Sequence, residues 1–560
     1  MPVVSLSRAA PGSDIGVLNY PYSPTVSEVI RRIPGREWRG SYKVWTIPLT
    51  PTNALLLRDG LRDVGWTLDI PRDIAAGLNE QYRASAAAAE VRKAGDSDIA
   101  FDYVTEPYAH QRAGLQFLVH LDGGALLWEM GLGKTKTAID FAEYRKLDRI
   151  LVICPNTVKR NWGDEIEKHA GHQDWLLPKG TLKQRVTQLA AARYTIINAE
   201  AMSHKVMADG LRDIEWDLII CDESTRFKTP TAARTKALMK LRTKRRIILT
   251  GTPITGKPQD AYVQFEWVRP GTFGKSYYAF AERYLAKDWF GSVVGIKPGM
   301  DRELRSRIDV TSYRILKDDV LDLPPKVYAT RRVEMTGEQR RAYNQMRDEL
   351  RIELEHADDL RANNILTVIL RLTQVTAGLI GEKGKYQWLE NNAKQAELDA
   401  LLNGDLAGEQ VVIFGLYQRE LEELAARYDR GPQLLHNKMP LLPIIYGPTP
   451  EAVRHELISQ FQLGERRLLF AQVRTGGIGI NLTAAKTAIY YTRSWSLEEW
   501  LQSQDRLHRI GQTGTVNIVS LVAEDSIDQD IATALGEKKS LADNLTGDAA
   551  RALAAQTLGR

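Results

Sequence analysis

Residues 124–144 read GALLWEMGLGKTKTAIDFAEY. GALLW has the length and apolar character of a buried strand, and KTKTAIDFAEY has the apolar spacing of a helix. MGLGKT is therefore the loop between them, the context in which a phosphate-binding loop works. Gly131 and Gly133 let the main chain approach a phosphate with its N–H groups turned inward, and the helix N-terminus adds its positive dipole. The stretch departs from the usual G-x-x-x-x-G-K-[ST], because Trp128 holds the place of the first glycine. The rest of the chain decides whether that matters.

Outward from this stretch, RILVIC, YTIIN, WDLIIC and RRIILT repeat the strand pattern, with helical-period segments such as NTVKRNWGDEIEKH between them. Continuous apolar strands separated by helices imply a parallel sheet covered on both faces. The rhythm breaks over about 272–405, where long polar helical stretches occur, and then resumes. QVVIFG, PIIYG, RRLLFAQ, AIYY and VNIVSLV are strand-like, and Thr449-Pro450 reads as a helix start. The expected fold is α/β: two tandem RecA-like, doubly wound parallel-sheet lobes with a small N-terminal α+β domain. The boundaries read as 1–75 for that domain, 76–100 for an alanine-rich linker, 101–320 and 321–536 for the lobes, and 537–560 for a bracing C-terminal helix.

At 560 residues the chain exceeds one hydrophobic core, and 43% hydrophobic with 26% charged residues is ordinary globular composition. Lys and Arg total 75 against 70 Asp and Glu, a mild basic excess that permits a polyanionic partner without demanding one. The two cysteines, Cys154 and Cys221, end apolar runs and read as buried strand residues, so a disulfide framework is excluded. No run approaches the ~18 apolar residues of a membrane span. The expectation is a soluble cytoplasmic protein, of bacterial or viral source, or nuclear if eukaryotic.

The chemistry-bearing residues fall at strand ends and loops. Lys134 would reach the β- and γ-phosphates of a nucleotide, and Thr135 would hold Mg²⁺. WDLIICDES puts Asp222 and Glu223 at the end of another buried strand, one to hold the metal ion and one to orient and deprotonate water. SLEEWLQSQDRLHRI reads as a helix whose Arg506 and Arg509, three apart, share one face. Arginines delivered to a γ-phosphate are worth roughly 10³–10⁵ in rate.

QSQDRLHRIGQ (502–512) resembles the last motif of the SWI/SNF-type helicase-like ATPases of superfamily two. WEMGLGKT is similar to that family's D-E-M-G-L-G-K-T, with Trp128 in place of the acid. ILVICPNTVKRNW, LTGTPI (249–254), FAQVRTGGIGINLTAA, YAHQRAGLQFL and ILKDDVLDLPPK resemble its other motifs in the expected order. The resemblance implies ATP and Mg²⁺ as cofactors. Gly131, Leu132, Gly133, Lys134, Thr135 and Gly479 would lie around the nucleotide, and Gln111 would read adenine. It implies a monomeric motor on double-stranded DNA, with Lys159, Arg160, Lys228 and Arg474 as phosphate-contact candidates.

Three departures stand out. D-E-A-H becomes Asp222-Glu223-Ser224-Thr225, Thr492 replaces an aspartate, and Ser496-Leu497 replaces Asn-Pro. None removes a residue of the phosphate chemistry.

RRIPGREWRGSYKVW (31–45) interleaves basic and aromatic residues, as suits strands and junctions of nucleic acid. With its flanks it resembles the HARP module of annealing helicases. Arg36, Trp38, Arg39 and Lys43 would then contact fork DNA. The reading is a DNA-dependent ATPase and duplex translocase that remodels branched DNA. The same motor could serve a strand-separating DNA or RNA helicase or a remover of DNA-bound proteins, and a nucleotide-gated DNA clamp without turnover is a third possibility.

Overall fold

The computed structural model describes residues 1–536 except 12, 252–257, 275, 288, 290, 292, 321–322, 356–361, 383–384, 437–438, 475–479 and 510. The expected C-terminal brace, 537–560, lies outside the described residues. The chain divides into two units, Met1–Val320 and Leu321–Arg560.

The first unit begins with a five-stranded sheet. In spatial order its strands are Glu37–Arg39, Val44–Pro48, Ile15–Asn19, Val3–Arg8 and Thr67–Asp69. All neighbours pair antiparallel except the last two, which are parallel. Helices Pro24–Arg31 and Pro51–Asp63 start alike, with Ser23 and Thr50 accepting the N–H of Val26 and Asn53, and proline in the first turn. Val4, Leu6, Leu18, Ile30, Leu57 and Leu61 close a small core, each worth ~1.5–3 kcal/mol when fully buried.

The alanine-rich stretch expected as a linker is mostly one 23-residue helix, Arg72–Ala94, which packs along helix Ala109–Leu121. Ala-rich sequence favours helix, and buried Ile74, Leu78 and Ala88 give it a face to dock. Arg92 donates to the carbonyls of Asp309 (2.5 Å) and Ser312 (2.9 Å). Gly35 and Gly274 meet backbone to backbone. A Cβ on Gly274, at φ +87°, would stand 2.1 Å from the Gly35 Cα. The N-terminal domain is thus seated on the rest of the first unit.

The main sheet of that unit has seven strands, all parallel. Their order is Ser312–Ile315, Gly124–Trp128, Arg242–Leu249, Glu215–Asp222, Ile150–Cys154, Tyr194–Asn198 and Trp175–Leu176. GALLW and ILVIC are buried at every residue, as continuous apolar runs require.

The second unit carries six parallel strands in the order Lys326–Val333, Val516–Ala523, Thr487–Tyr490, Val411–Gly415, Leu468–Gln472 and Ile444–Ile445. Alternate strand residues enter two separate cores. Val412 and Phe414 pack with Leu372, Leu457 and Phe461, whereas Val411 and Ile413 pack with Leu398, Leu421 and Leu424. Helices therefore cover both faces, and the α/β doubly wound expectation holds. Helix Glu451–Gln462 starts one residue later than expected, because the Thr449 hydroxyl donates back to the Ile444 carbonyl (2.6 Å) instead of capping it.

Candidate nucleotide-binding site

The loop after GALLW turns on Gly131 (φ +85°) and Gly133 (φ +80°), and Gly133 caps the helix Lys134–Tyr144. Glycine is required twice over at 133: a Cβ there would meet Nε2 of Gln111 at 2.1 Å. Gln111 and His110 grip this loop from helix Ala109–Leu121. The Gln111 amide donates to the Leu132 carbonyl (3.2 Å) while its oxygen accepts the Tyr108 N–H (3.1 Å), and His110 Nε2 lies 2.9 Å from the same Leu132 oxygen. Burial holds the His110 imidazole below its ordinary pKa, which favours the neutral ring. Gln111, expected at adenine, clamps the loop in this structure.

The Lys134 ammonium donates to the carbonyls of Trp128 (2.8 Å) and Glu129 (3.2 Å), so a cation stands over the loop, and Thr135 follows it in the first helical turn. Trp128 is fully buried, set edge-on to His110 and Tyr313 at 5.4 and 5.8 Å between ring centroids. Of LTGTPI, residues 252–254 lie outside the described residues. Thr250 is buried and donates its N–H to the Leu126 carbonyl (3.2 Å), and a Cβ on Gly251 would lie 3.3 Å from the Trp128 oxygen.

One strand away from GALLW's neighbour, Glu215–Asp222 delivers the acids. Asp222 accepts the Trp162 indole N–H (2.9 Å) and the Glu223 backbone N–H (3.0 Å). Burial pushes its carboxyl up, opposed by the Trp162 hydrogen bond and the Lys134 charge. Glu223 sits at φ +50°, ψ +58°, a left-handed conformation costly for a side chain with a Cβ. Ser224 donates to Gln264 (2.6 Å), and Thr225 is buried. Trp162 and Gln264, which hold Asp222 and Ser224 by these hydrogen bonds, were passed over by motif reading. The only sequence signal was the tryptophan closing ILVICPNTVKRNW.

A correction concerns Arg506 and Arg509. The helix Leu497–Gln504 ends before them, Arg506 lying in a turn and Arg509 in a bend, so they do not share a helical face. The segment is tied to the edge strand instead: Tyr328 donates to Gln504 (3.0 Å), Lys326 pairs with Asp505 (3.6 Å), and His508 meets the Pro324 carbonyl (2.8 Å). Arg506 is buried and Arg509 half-buried, with Arg509 donating to Ile480 (3.5 Å). Gln512 clamps the turn, giving its amide to the carbonyls of Thr483, Ala485 and Leu507. Gly479 lies outside the described residues. Thr492 pairs with a buried acid, donating to Glu420 (2.8 Å) while accepting the Leu416 N–H (2.8 Å).

The residues match a recognised order of domains. The SNF2-related domain matches residues 110–378, and the helicase conserved C-terminal domain matches 393–511. The chain carries an SNF2-related domain followed by a helicase C-terminal domain. Among curated relatives, the chain is 26% identical over 452 residues to an uncharacterized ATP-dependent helicase of Mycoplasma genitalium, covering 77% of the chain and 41% of that protein. It is 27% identical over 435 residues to the DNA annealing helicase and endonuclease ZRANB3 of Bos taurus, covering 75% and 38%. The chain thus spans about two fifths of the length of these relatives. A solved structure of the Sulfolobus solfataricus SWI2/SNF2 ATPase core with dsDNA is 26% identical, covering 80% of this chain and 96% of that one, with a TM-score of 0.38.

The basic candidates are mostly engaged. Arg160 pairs with Asp164 (3.0 Å) and lies over Trp175 (4.9 Å), and Lys228 pairs with Asp260 (3.4 Å). Arg474 pairs with Glu499 (3.4 Å) over Trp495 (5.4 Å), while burial lowers the Lys159 pKa. Exposed pairs such as Arg160–Asp164 are worth ~0–1 kcal/mol. In the N-terminal domain, Trp38 is half exposed against Trp45 (5.3 Å), and Arg39 pairs with Glu37 (2.9 Å). Arg36 is half-buried, and exposed Lys43 takes φ +51° at the turn. No helix among the described residues is long and apolar enough to cross a membrane.

Proposed function

We propose that this chain is a DNA-dependent ATPase and double-stranded DNA translocase that remodels branched or fork DNA. The observation that carries the reading is the cation-over-loop geometry beside the Asp222–Glu223 strand end. Lys134 already occupies carbonyl oxygens where phosphate oxygens would bind, and the helix dipole points at the same place.

Thr135 and Asp222 would hold Mg²⁺. Hydroxyl, carboxylate and phosphate oxygens are the donors that ion takes, and once bound it neutralises charge on the β- and γ-phosphates. The backbone of Gly131, Leu132 and Gly133 cradles the phosphates, and Lys134 binds the β- and γ-phosphate oxygens. Gln111 keeps that loop in place and faces adenine with its remaining capacity. Glu223 orients water and takes its proton as the water oxygen bonds to the γ-phosphorus and the bond to the leaving ADP oxygen breaks. Arg509 stabilises charge on the transferring group, and buried Arg506 holds the turn that presents it. Lys159, Arg160, Lys228 and Arg474 contact DNA phosphates.

Branched DNA is favoured by the exposed Trp38 and by Tyr42, 79% exposed, beside Arg36, Arg39 and Lys43. The similarity to a DNA annealing helicase supports the same reading. ATP hydrolysis measured with no polymer, single-stranded DNA, linear duplex, forked DNA and RNA tests it. Greatest stimulation by forked DNA is expected. Greatest stimulation by RNA would replace the DNA reading with the RNA-helicase alternative, and no turnover with any polymer would leave only the clamp.

A further inference from the structure

Strands Leu285–Lys287 and Val293–Ile296 form an antiparallel hairpin following helix Tyr277–Tyr284. Its base is anchored. Leu285 is buried in the first-unit core, Val293 and Ile296 pack against that core, and the Lys297 N–H donates to the Tyr284 carbonyl (2.8 Å). The register shifts between Ala286 and Lys287, and such a bulge twists a ladder and re-aims the side chains beyond it. There Trp289 is 95% exposed, and Tyr278 on the preceding helix is 74% exposed. A large aromatic left bare above an anchored hairpin base is the arrangement of a contact residue.

That base is joined to the N-terminal domain. Arg283, one residue before the end of the helix, donates to the Arg32 carbonyl (3.1 Å) and holds Glu303 with its other nitrogens (2.8 and 3.2 Å). Arg36 lies in the field of Arg283, Glu282 and Arg31. Residues 28–43 carry five basic side chains against two acidic, and 282–297 carry three against two. The base of the hairpin that carries the bare indole therefore adjoins a net positive ridge.

We propose that Trp289 is a stacking platform for unpaired bases of single-stranded nucleic acid, whose phosphates run along Arg31, Arg32 and Arg36. Every base has a π-face that an indole can stack on, and the ridge supplies the charge that the backbone needs. A second copy of this chain fits poorly, because it would bring the exposed Lys287 and Lys297 of two hairpins together. The proposal rests on the DNA reading above and adds to it the state of the strand: unpaired.

The test is anisotropy of labelled oligothymidylate and of blunt duplex with wild type, Trp289→Ala and Trp289→Phe, beside duplex-stimulated ATP hydrolysis. Trp289→Ala should weaken oligothymidylate binding about tenfold, as loss of one stacked base does, and Trp289→Phe should stay within about threefold. Duplex stimulation and thermal melting should match wild type in both. Unchanged oligothymidylate binding by Trp289→Ala with duplex stimulation intact overturns the platform alone. A wild-type dimer in sedimentation that Trp289→Ala dissolves also overturns it, in favour of self-association. Absence of duplex stimulation in wild type removes the DNA reading and the platform with it.

Discussion

Gly114 faces Trp128 so closely that a Cβ built on the glycine would stand 2.4 Å from Cη2 of the indole. Gly114 lies inside helix Ala109–Leu121, where glycine ordinarily costs ~1 kcal/mol relative to alanine. Overpacking a filled core costs ~1–3 kcal/mol, so here the ring decides the sign. Gly114→Ala should destabilise the first unit in the wild-type background and stabilise it by up to ~1 kcal/mol in Trp128→Ala. Equilibrium denaturation of the four proteins checks the reversal. Equal effects in both backgrounds would refute the coupling.

Glu129 links the phosphate loop to the end of the first unit, its carboxylate accepting the Lys317 N–H at 2.7 Å. Leaving that N–H without its acceptor costs ~1–3 kcal/mol locally. In Glu129→Ala, amide exchange at Lys317 should accelerate by about tenfold or more while the Lys134–Tyr144 helix stays protected.

The two arginines after the second-unit helix should separate by readout. Arg506 is 5% exposed, and Arg506→Ala should lower stability by about 2–3 kcal/mol. Arg509→Ala should change stability by less than ~1 kcal/mol, bind ATP, and lose ~10³-fold or more in hydrolysis. An Arg509→Ala variant that hydrolyses normally would remove its assigned role.

Glu420 makes the second unit pH-sensitive. Burial pushes its carboxyl up to about 8, against the Thr492 hydrogen bond and the Lys394 charge. An unfolded glutamate titrates near ~4.3. Between these values the folded chain holds a proton that the unfolded chain releases. This contribution is therefore fully present below about pH 4 and is lost as pH rises toward 8, by on the order of a few kcal/mol. Denaturation of Glu420→Gln from pH 5 to 8 should lack that slope. A slope equal to wild type would place the proton elsewhere.

Much of this was legible in the sequence because strong periods encode it. GALLW, RILVIC and WDLIIC are buried on both faces and could only be central parallel strands, and the loop with Gly131 and Gly133 is placed by the point where one of them ends. Side-chain reach is not periodic, and that is where reading stopped. SLEEWLQSQDRLHRI has helical spacing throughout, yet ties from Tyr328, Lys326 and the Pro324 carbonyl stop the helix at Gln504. Trp162 on Asp222 joins residues sixty apart in sequence, so no local pattern announces it. The Trp289 hairpin, in the region where the strand rhythm breaks, is short and bulged and leaves only a weak alternation to find.

The most direct test of the account is steady-state ATP hydrolysis with linear duplex DNA, together with equilibrium ATP binding, for wild type and Glu223→Gln. Wild type should turn over and accelerate on duplex. Glu223→Gln should bind ATP with wild-type affinity and lose ~10²–10⁴-fold in hydrolysis, the worth of a positioned general base. Wild-type turnover by Glu223→Gln, or no response of wild type to duplex, would contradict it.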